Sequence, residues 1–364
     1  MLVLIYICTI LWGYLTSQKK NKYYWIWCSL LLALIVNTTD EYADFLNYDS
    51  YFIKVGGYNY SIEYDGMPFG WYYLCRLFYN LGFSYRGMVI IIIFISCYLL
   101  HKFITYFDCK ENFFWASFLI FPALIQCVQL RFFLGTSIVM FFLKYLLTDK
   151  TNWLMYIAGT ILASTIHASC MIFLIFLVLR IFKNITIKKS LIYCLSAFIV
   201  ILLSINLLPI IIKPLIPSVK FERYFTNSIS KTSMSWFIQI CFVWIMMCCY
   251  AIWFRSNINY HLCDKKNLEY LANKLYMIPF LLIVVLPFMK FDRNFHRFLE
   301  VGYYCVFILY CLYTKYRKGD KFNYFCIMGL LIISLILCAY IYYPYDAVIK
   351  PLLSFNQFNS IFLQ

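Results

Sequence analysis

The chain has 364 residues, of which 64% are hydrophobic, 22% aromatic and only 13% charged, and its formal net charge is +15. A soluble domain carries about 25% charged residues, so this composition excludes an ordinary soluble globule and points to lipid as the solvent. The basic residues sit in short clusters between apolar runs and no nucleic-acid-binding module accompanies them, which excludes nucleic acid as a partner and marks instead the loops on one side of a bilayer.

Taken in chain order, apolar runs predict spans over 1–16, 23–37, 87–107, 113–129, 132–147, 152–166, 169–183, 190–212, 234–254, 275–289, 298–314 and 324–343. A crossing takes about 20 helical residues, and the runs are continuous rather than alternating, so they predict helices and not the strands of a barrel. The expected fold class is an all-α integral membrane protein, a polytopic helical bundle of about eleven to thirteen transmembrane helices in one membrane domain over 1–364. The first run begins at Met1 with neither a basic stretch before it nor an A-x-A-like cleavage site, and is expected to be a retained helix rather than a signal peptide. The cysteines are scattered through the apolar runs without a C-x-x-C pair and are expected to be small buried hydrophobes.

Charge settles two ambiguous stretches. If 152–183 is a tight helical hairpin and Phe69–Phe83 lies at the interface without crossing, then Lys102, Lys110, Lys144, Arg180, Arg255 and Lys315 fall on one side with most other basic residues. That side is expected to be cytoplasmic by the positive-inside tendency. Three segments then face outward. The first is an acidic, tyrosine-rich loop with an interfacial helix over 38–86. The others are the short loops 213–235 and 290–297.

The outward segments hold the residues suited to chemistry. Arg131, Arg223, Arg293 and Arg297 converge on a face that the positive-inside tendency keeps poor in arginine. One such arginine alone is often only an interfacial anchor. Several together suit bidentate contact with phosphate. His167, in STIHAS, reads as a satisfied structural histidine or as a group that moves a proton or hydrogen-bonds a sugar or phosphate. Asp40, just after a span, is the best-placed general base, followed by Asp44 and Glu63, although a solvated loop carboxylate is the ordinary reading of each. The loop tyrosines, Tyr48 among them, fit an interfacial aromatic belt. There is no Walker loop, G-x-G-x-x-G, H-E-x-x-H or D-x-D, so no metal and no cofactor is expected.

Four segments occur in a telling order: TTDEYADFLNYDSYF, EYDGMPFGWYYLCRLFYNLGFS, QLRFFLGTSIVMFFLKYLL and LASTIHASCMIFLIFLVLR. Over roughly residues 37–185 this order and spacing resembles the EpsG-like branch of the Wzy polysaccharide polymerases, with looser likenesses at KFERYF, which contains Arg223 and Tyr224, and at DRNFHRF. The family's Pro-Gly is here broken into Gly66-Met67-Pro68-Phe69-Gly70, and Phe132 stands in place of a glutamine.

The resemblance implies a GT-C-like bundle that joins oligosaccharide repeat units carried on undecaprenyl pyrophosphate. The work would be done at the outer face of the bacterial inner (cytoplasmic) membrane, for capsule, exopolysaccharide or O-antigen. It implies the lipid bilayer, the lipid-linked oligosaccharide, and a chain-length regulator and flippase of the same pathway as partners. It further implies metal-independent chemistry with Asp40, Arg131 and His167 catalytic, and with Asp44, Glu63, Arg223, Tyr224, Arg293 and Arg297 on the substrate. The alternatives are a transporter or flippase of lipid-linked sugars, which favours internal repeats not seen here, and another membrane transferase such as an O-acyltransferase or the O-antigen ligase. A purely structural subunit leaves the arginines unexplained.

Overall fold

The computed structural model of the chain describes residues 2–17, 21–39, 42, 44–57, 67–107, 109–148, 152–181, 188–189, 192, 195–196, 199, 203, 210, 213, 233–259, 268–317 and 321–353. Every named element among them is helical. Helix is what lipid imposes, because hydrocarbon offers backbone N–H and C=O groups no partner outside the segment itself. Six helices among the described residues are long and apolar enough to cross a membrane, which makes this a multi-pass α-helical membrane protein. The chain gathers into two compact units, Met1–Leu174 with Asp320–Gln364, and Ile175–Gly319. The expected span 190–212 lies almost wholly outside the described residues.

The first unit opens with α1 (Leu2–Leu15) and α2 (Tyr24–Asn37). Polar ties bind α1 to α6 (Asn112–Ile120): the Asn112 amide donates to Thr16 Oγ1 at 2.8 Å, Tyr14 OH meets Ser117 Oγ at 3.1 Å, and Tyr6 OH donates to the Leu119 carbonyl. Partners that ascend on one helix as they descend on the other make the pair antiparallel. Tyr24 OH (2.6 Å, to the carbonyl) and Trp27 Nε1 (2.9 Å, to the hydroxyl) hold α2 to Thr9.

The expected span 113–129 is broken in two. Phe121 is extended (φ −159°, ψ 131°) and α7 (Ala123–Val128) restarts beyond Pro122. Proline lacks the N–H that would continue α6, and it drives the residue before it out of the helical region. The far end of α13 (Lys321–Tyr342) covers the gap. There Tyr342 meets the Phe121 ring edge-on at 5.0 Å, and Tyr343 OH donates to the Ile120 carbonyl at 3.3 Å.

The long loop is not loop throughout. It carries α3 (Phe45–Gly56) and α4 (Phe69–Asn80). Each has 12 residues, about 18 Å of helix against a hydrocarbon core of about 30 Å. Both are two-faced. Phe45, Tyr48, Phe52 and Val55 of α3, and Trp71, Cys75 and Phe78 of α4, are buried, while Leu46, Ile53, Phe69, Tyr73 and Leu77 are exposed. The sequence expectation held only the second of these helices, because α3 has too many polar residues to read as a span.

From α5 (Tyr85–Thr105) the chain passes through α6 and α7 to α8 (Leu130–Leu147) and α9 (Trp153–Ile166). A 3-10 helix, Ala168–Arg180, follows after His167 turns extended (φ −141°, ψ 105°). If the chain ran straight on, Tyr156 and Phe173 would stand about 28 Å apart along the axis. Instead Tyr156 OH donates to the Phe173 carbonyl at 2.7 Å, so the chain doubles back at His167, as expected for a hairpin. Lys144 and Arg131 lie on α8 about 20 Å apart along its axis. Lys102, in the last turn of α5, and Lys144, in the last turn of α8, repel one another at the end away from Arg131.

In the second unit α10 (Met234–Ser256) runs parallel to α12 (Glu300–Lys315), with Tyr303 OH on the Val243 carbonyl at 3.4 Å and Trp253 edge-on to Tyr313 at 4.9 Å. It runs antiparallel to α11 (Leu268–Leu281), through Trp244 Nε1 on the Pro279 carbonyl at 2.8 Å and Arg255 Nε on Asn273 Oδ1 at 2.5 Å. Helix α11, with Pro279 inside it, tightens into the 3-10 stretch Leu282–Lys290, with Pro287 inside that; each proline removes a backbone donor. Helix α12 is buried on every side and forms the core of this unit.

Asn112→Ala removes one of the polar α1–α6 ties. Interhelical hydrogen bonds in membranes contribute about 0.6 to 1.7 kcal/mol, so thermal unfolding of the detergent-solubilised protein is expected to shift down by a few degrees. An unchanged transition temperature would show that apolar packing alone holds α1.

Candidate functional site

Arg131 lies in the first turn of α8, whose preceding residue Gln129 provides no side-chain cap. A helix N-terminus carries about half a positive charge from its aligned peptide dipoles, so an arginine there adds charge of the same sign. The guanidinium is half-buried. Its Nε and Nη2 donate to Tyr48 OH at 3.1 and 3.0 Å, Nη1 lies 2.7 Å from Met67 Sδ, and the guanidinium carbon sits 4.8 Å from the Tyr48 ring centroid. All of these acceptors are neutral. Burial pushes the nearby Cys75 thiol up to about 12 against the opposing pull of Arg131, so near neutral pH no thiolate balances the charge either.

The surroundings of Arg131 come from the two short helices and the hairpin. Trp71 of α4 leans on Tyr48 with ring centroids 6.2 Å apart. Phe45 meets Tyr85, the first residue of α5, edge-on at 5.3 Å. Arg86 sits 5.0 Å above the Phe45 ring and donates to the Asn37 carbonyl at 2.5 Å, fixing α3 to the end of α2. A Cβ on Gly70 would overlap Thr165, so α4 starts hard against the end of α9.

His167 is brought to the same place. Its ring is edge-on to Phe132, the neighbour of Arg131, at 5.4 Å, and its Nδ1 is 2.6 Å from Ser169 Oγ. A Cβ on Gly135, one helical turn beyond Arg131, would stand 3.6 Å from His167 Cβ and 2.6 Å from Cys170 Sγ. The absent side chain is therefore what lets the hairpin turn close over α8.

Asp44 caps the start of α3 without a side-chain capping bond. It has a φ of 69°, the one positive φ of a non-glycine residue among the described residues, which aspartate tolerates better than most. It is exposed and one turn ahead of Tyr48, whose N–H donates to the Asp44 carbonyl at 3.0 Å.

Asp40, Glu63, Arg223 and Tyr224 lie outside the described residues. Arg293 and Arg297 are in the second unit, on the 3-10 helix Arg293–Leu299 that Asp292 caps by accepting from the Asn294 N–H at 2.7 Å. Arg293 is exposed and Arg297 half-buried. Sequence reasoning passed over His296, which is buried between them with Nδ1 2.6 Å from the Arg293 carbonyl and its ring against Trp236. It also left Tyr48 in the aromatic belt and did not single out Trp71 or Met67. No signal in the sequence marks Met67 or Trp71, whereas the spacing of Tyr48 four residues after Asp44 was available. Among the described residues no group of three His, Cys, Asp or Glu side chains is disposed to hold a metal ion.

These features define a polytopic α-helical membrane protein with a cationic site at one end of its first unit, walled by aromatic side chains. The chain belongs to the EpsG family, whose model matches residues 22–354. That family is associated with membrane-bound, glycosyltransferase-like polysaccharide polymerases. No curated protein and no solved structure gives a match to the chain.

Gly135→Ala is expected to destabilise the protein by about 1–3 kcal/mol through overpacking. Adding Cys170→Ala should restore much of the loss, because it removes the sulfur that the new methyl meets. Thermal unfolding of the single and double variants checks this; equal transition temperatures for the two would place the strain elsewhere.

Proposed function

We propose that this protein is a Wzy-type polymerase. It transfers a growing glycan from undecaprenyl pyrophosphate to a hydroxyl of the next lipid-linked repeat unit, at the outer face of the bacterial inner membrane, for capsule, exopolysaccharide or O-antigen. The observation that carries this reading is Arg131: a permanently charged group, half-buried at a helix N-terminus, with only neutral acceptors among the described residues. Such a group suits a phosphate-bearing ligand, and helix N-termini favour the same charge.

In this reading the acceptor hydroxyl attacks the anomeric carbon while the bond to the pyrophosphate oxygen breaks, its electron pair leaving with the pyrophosphate. Arg131 stabilises that departing charge. The proton of the hydroxyl passes to a base near the acceptor, for which His167, Asp40 and Asp44 are the candidates. Glu63, Arg223, Tyr224, Arg293 and Arg297 are assigned to the glycan or to a phosphate of the substrate, and the chemistry is metal-independent. The end of the first unit that carries Lys102 and Lys144 is assigned to the cytoplasm, leaving Arg131 at the outer leaflet, where the lipid-linked units, a flippase and a chain-length regulator meet it.

Arg131→Ala is expected to lower polymer to background and to leave single lipid-linked repeats accumulating, read by gel analysis of the lipid-linked saccharides. Arg131→Lys should restore little, since an ammonium lacks the two-pronged donor geometry. Polymer of normal length from Arg131→Ala cells would remove the assignment. External labelling of single cysteines placed at Arg293 and Arg297 tests the outward sidedness of that segment.

A further inference from the structure

The partners that hold Arg131 point to a wider receptor. Tyr48 is only 8% exposed, and its phenol oxygen accepts from both Nε and Nη2 of Arg131. Those two bonds use the oxygen's acceptor capacity and leave its own O–H proton facing elsewhere, with no acceptor among the described residues. Trp71 is 0% exposed. Its Nε1–H, a donor only, also has no acceptor among the described residues. A buried donor left unpaired costs roughly 1–3 kcal/mol. Here one such donor is on the phenol that holds the half-buried Arg131, whose third nitrogen rests on a thioether, a weak acceptor, and the other is on the indole whose ring centroid lies 6.2 Å from that of Tyr48.

We propose that Tyr48 O–H, Trp71 Nε1–H and Arg131 together form an all-donor receptor for the diphosphate head group of a prenyl-linked saccharide, with Tyr48 and Trp71 as binding residues in their own right. This rests on the reading of Arg131 as the pyrophosphate contact. Three donor side chains without a carboxylate among them favour an acceptor-rich, anionic group and offer little to a neutral sugar, which presents donors as well as acceptors. The two aromatic rings also keep water off the head group, which strengthens each hydrogen bond. Tyr48 has a second task, since it is the side chain that orients the guanidinium.

The test uses the full-length protein in neutral phosphatidylcholine nanodiscs and farnesyl diphosphate as the probe, by titration calorimetry. The unaltered protein should bind farnesyl diphosphate and not farnesol. Trp71→Phe keeps the bulk and leaves the Tyr48–Arg131 contact untouched; it should weaken binding about tenfold, the loss of one hydrogen bond to a charged group. Tyr48→Phe should weaken it by more, because it also frees the guanidinium. Wild-type affinity in both variants, each with an unchanged unfolding temperature, would overturn the proposal. So would equal displacement of the probe by phosphatidylglycerol, which would make this a phospholipid contact. If Arg131→Ala abolishes polymer while Trp71→Phe and Tyr48→Phe bind normally, the receptor fails and the polymerase reading stands. If the variants bind weakly but Arg131→Ala cells make normal polymer, the receptor stands and the polymerase reading fails.

Discussion

Hydrocarbon cannot hydrogen-bond a peptide group, so wherever a helix in this protein stops, something inside the protein must take over. The places where that happens decide where the site is. Helix α6 ends at Phe121, and Tyr343 reaches across to the stranded Ile120 carbonyl. Helix α9 ends at His167, whose N–H still bonds back to the Ala163 carbonyl before the chain turns. The two interruptions bring α7, the head of α8 and the hairpin turn together, and α3 and α4 pack over the same end. Continuous crossings would have left no free helix N-terminus there for Arg131 to occupy.

Around that end the side chains divide the work by chemistry. Small residues set distance: Gly70 admits Thr165 and Gly135 admits His167 and Cys170. Aromatic residues set the walls, and Tyr48 does so while holding the guanidinium with its oxygen. None of these contributions is large alone. They matter jointly because each fixes the place of a group that the next one touches.

The bundle was legible in the sequence because twenty-residue apolar runs leave few alternatives in lipid. The hairpin at 152–183 was legible through charge, since a single crossing would have carried Arg255 and the basic residues after it to the wrong side. Arg131 and His167 were legible as residue types in a recognisable order, and the structure brings the two to one neighbourhood. Helix α3 was not legible, because Asn47, Asp49, Ser50 and Lys54 interrupt its apolar positions and its buried face becomes visible only against α4. Trp71 was not legible either: in sequence it is one aromatic among many, and it differs from Tyr73 only in which side of a 12-residue helix it occupies. The break at Pro122 was readable in principle, but a proline inside a long apolar run is compatible with a kinked crossing.

The same unit shows how this chain treats a charge buried for structural reasons. At the end opposite Arg131, Glu111 is 6% exposed. It is bonded to His101 Nδ1 at 2.6 Å and receives Trp115 Nε1 at 3.3 Å, and Trp25 stacks on the imidazole at 4.8 Å. That carboxylate has a titratable partner and a donor, the arrangement expected when a buried ionisable group must be made tolerable. Arg131 is bonded instead to a phenol and a thioether. A guanidinium cannot shed its charge as a histidine can, and among the described residues no carboxylate is bonded to it. The unit thus gives one buried ionisable side chain an ionisable partner and gives Arg131 only neutral ones among the described residues. That contrast supports the proposed reading of Arg131 as a ligand-facing cation.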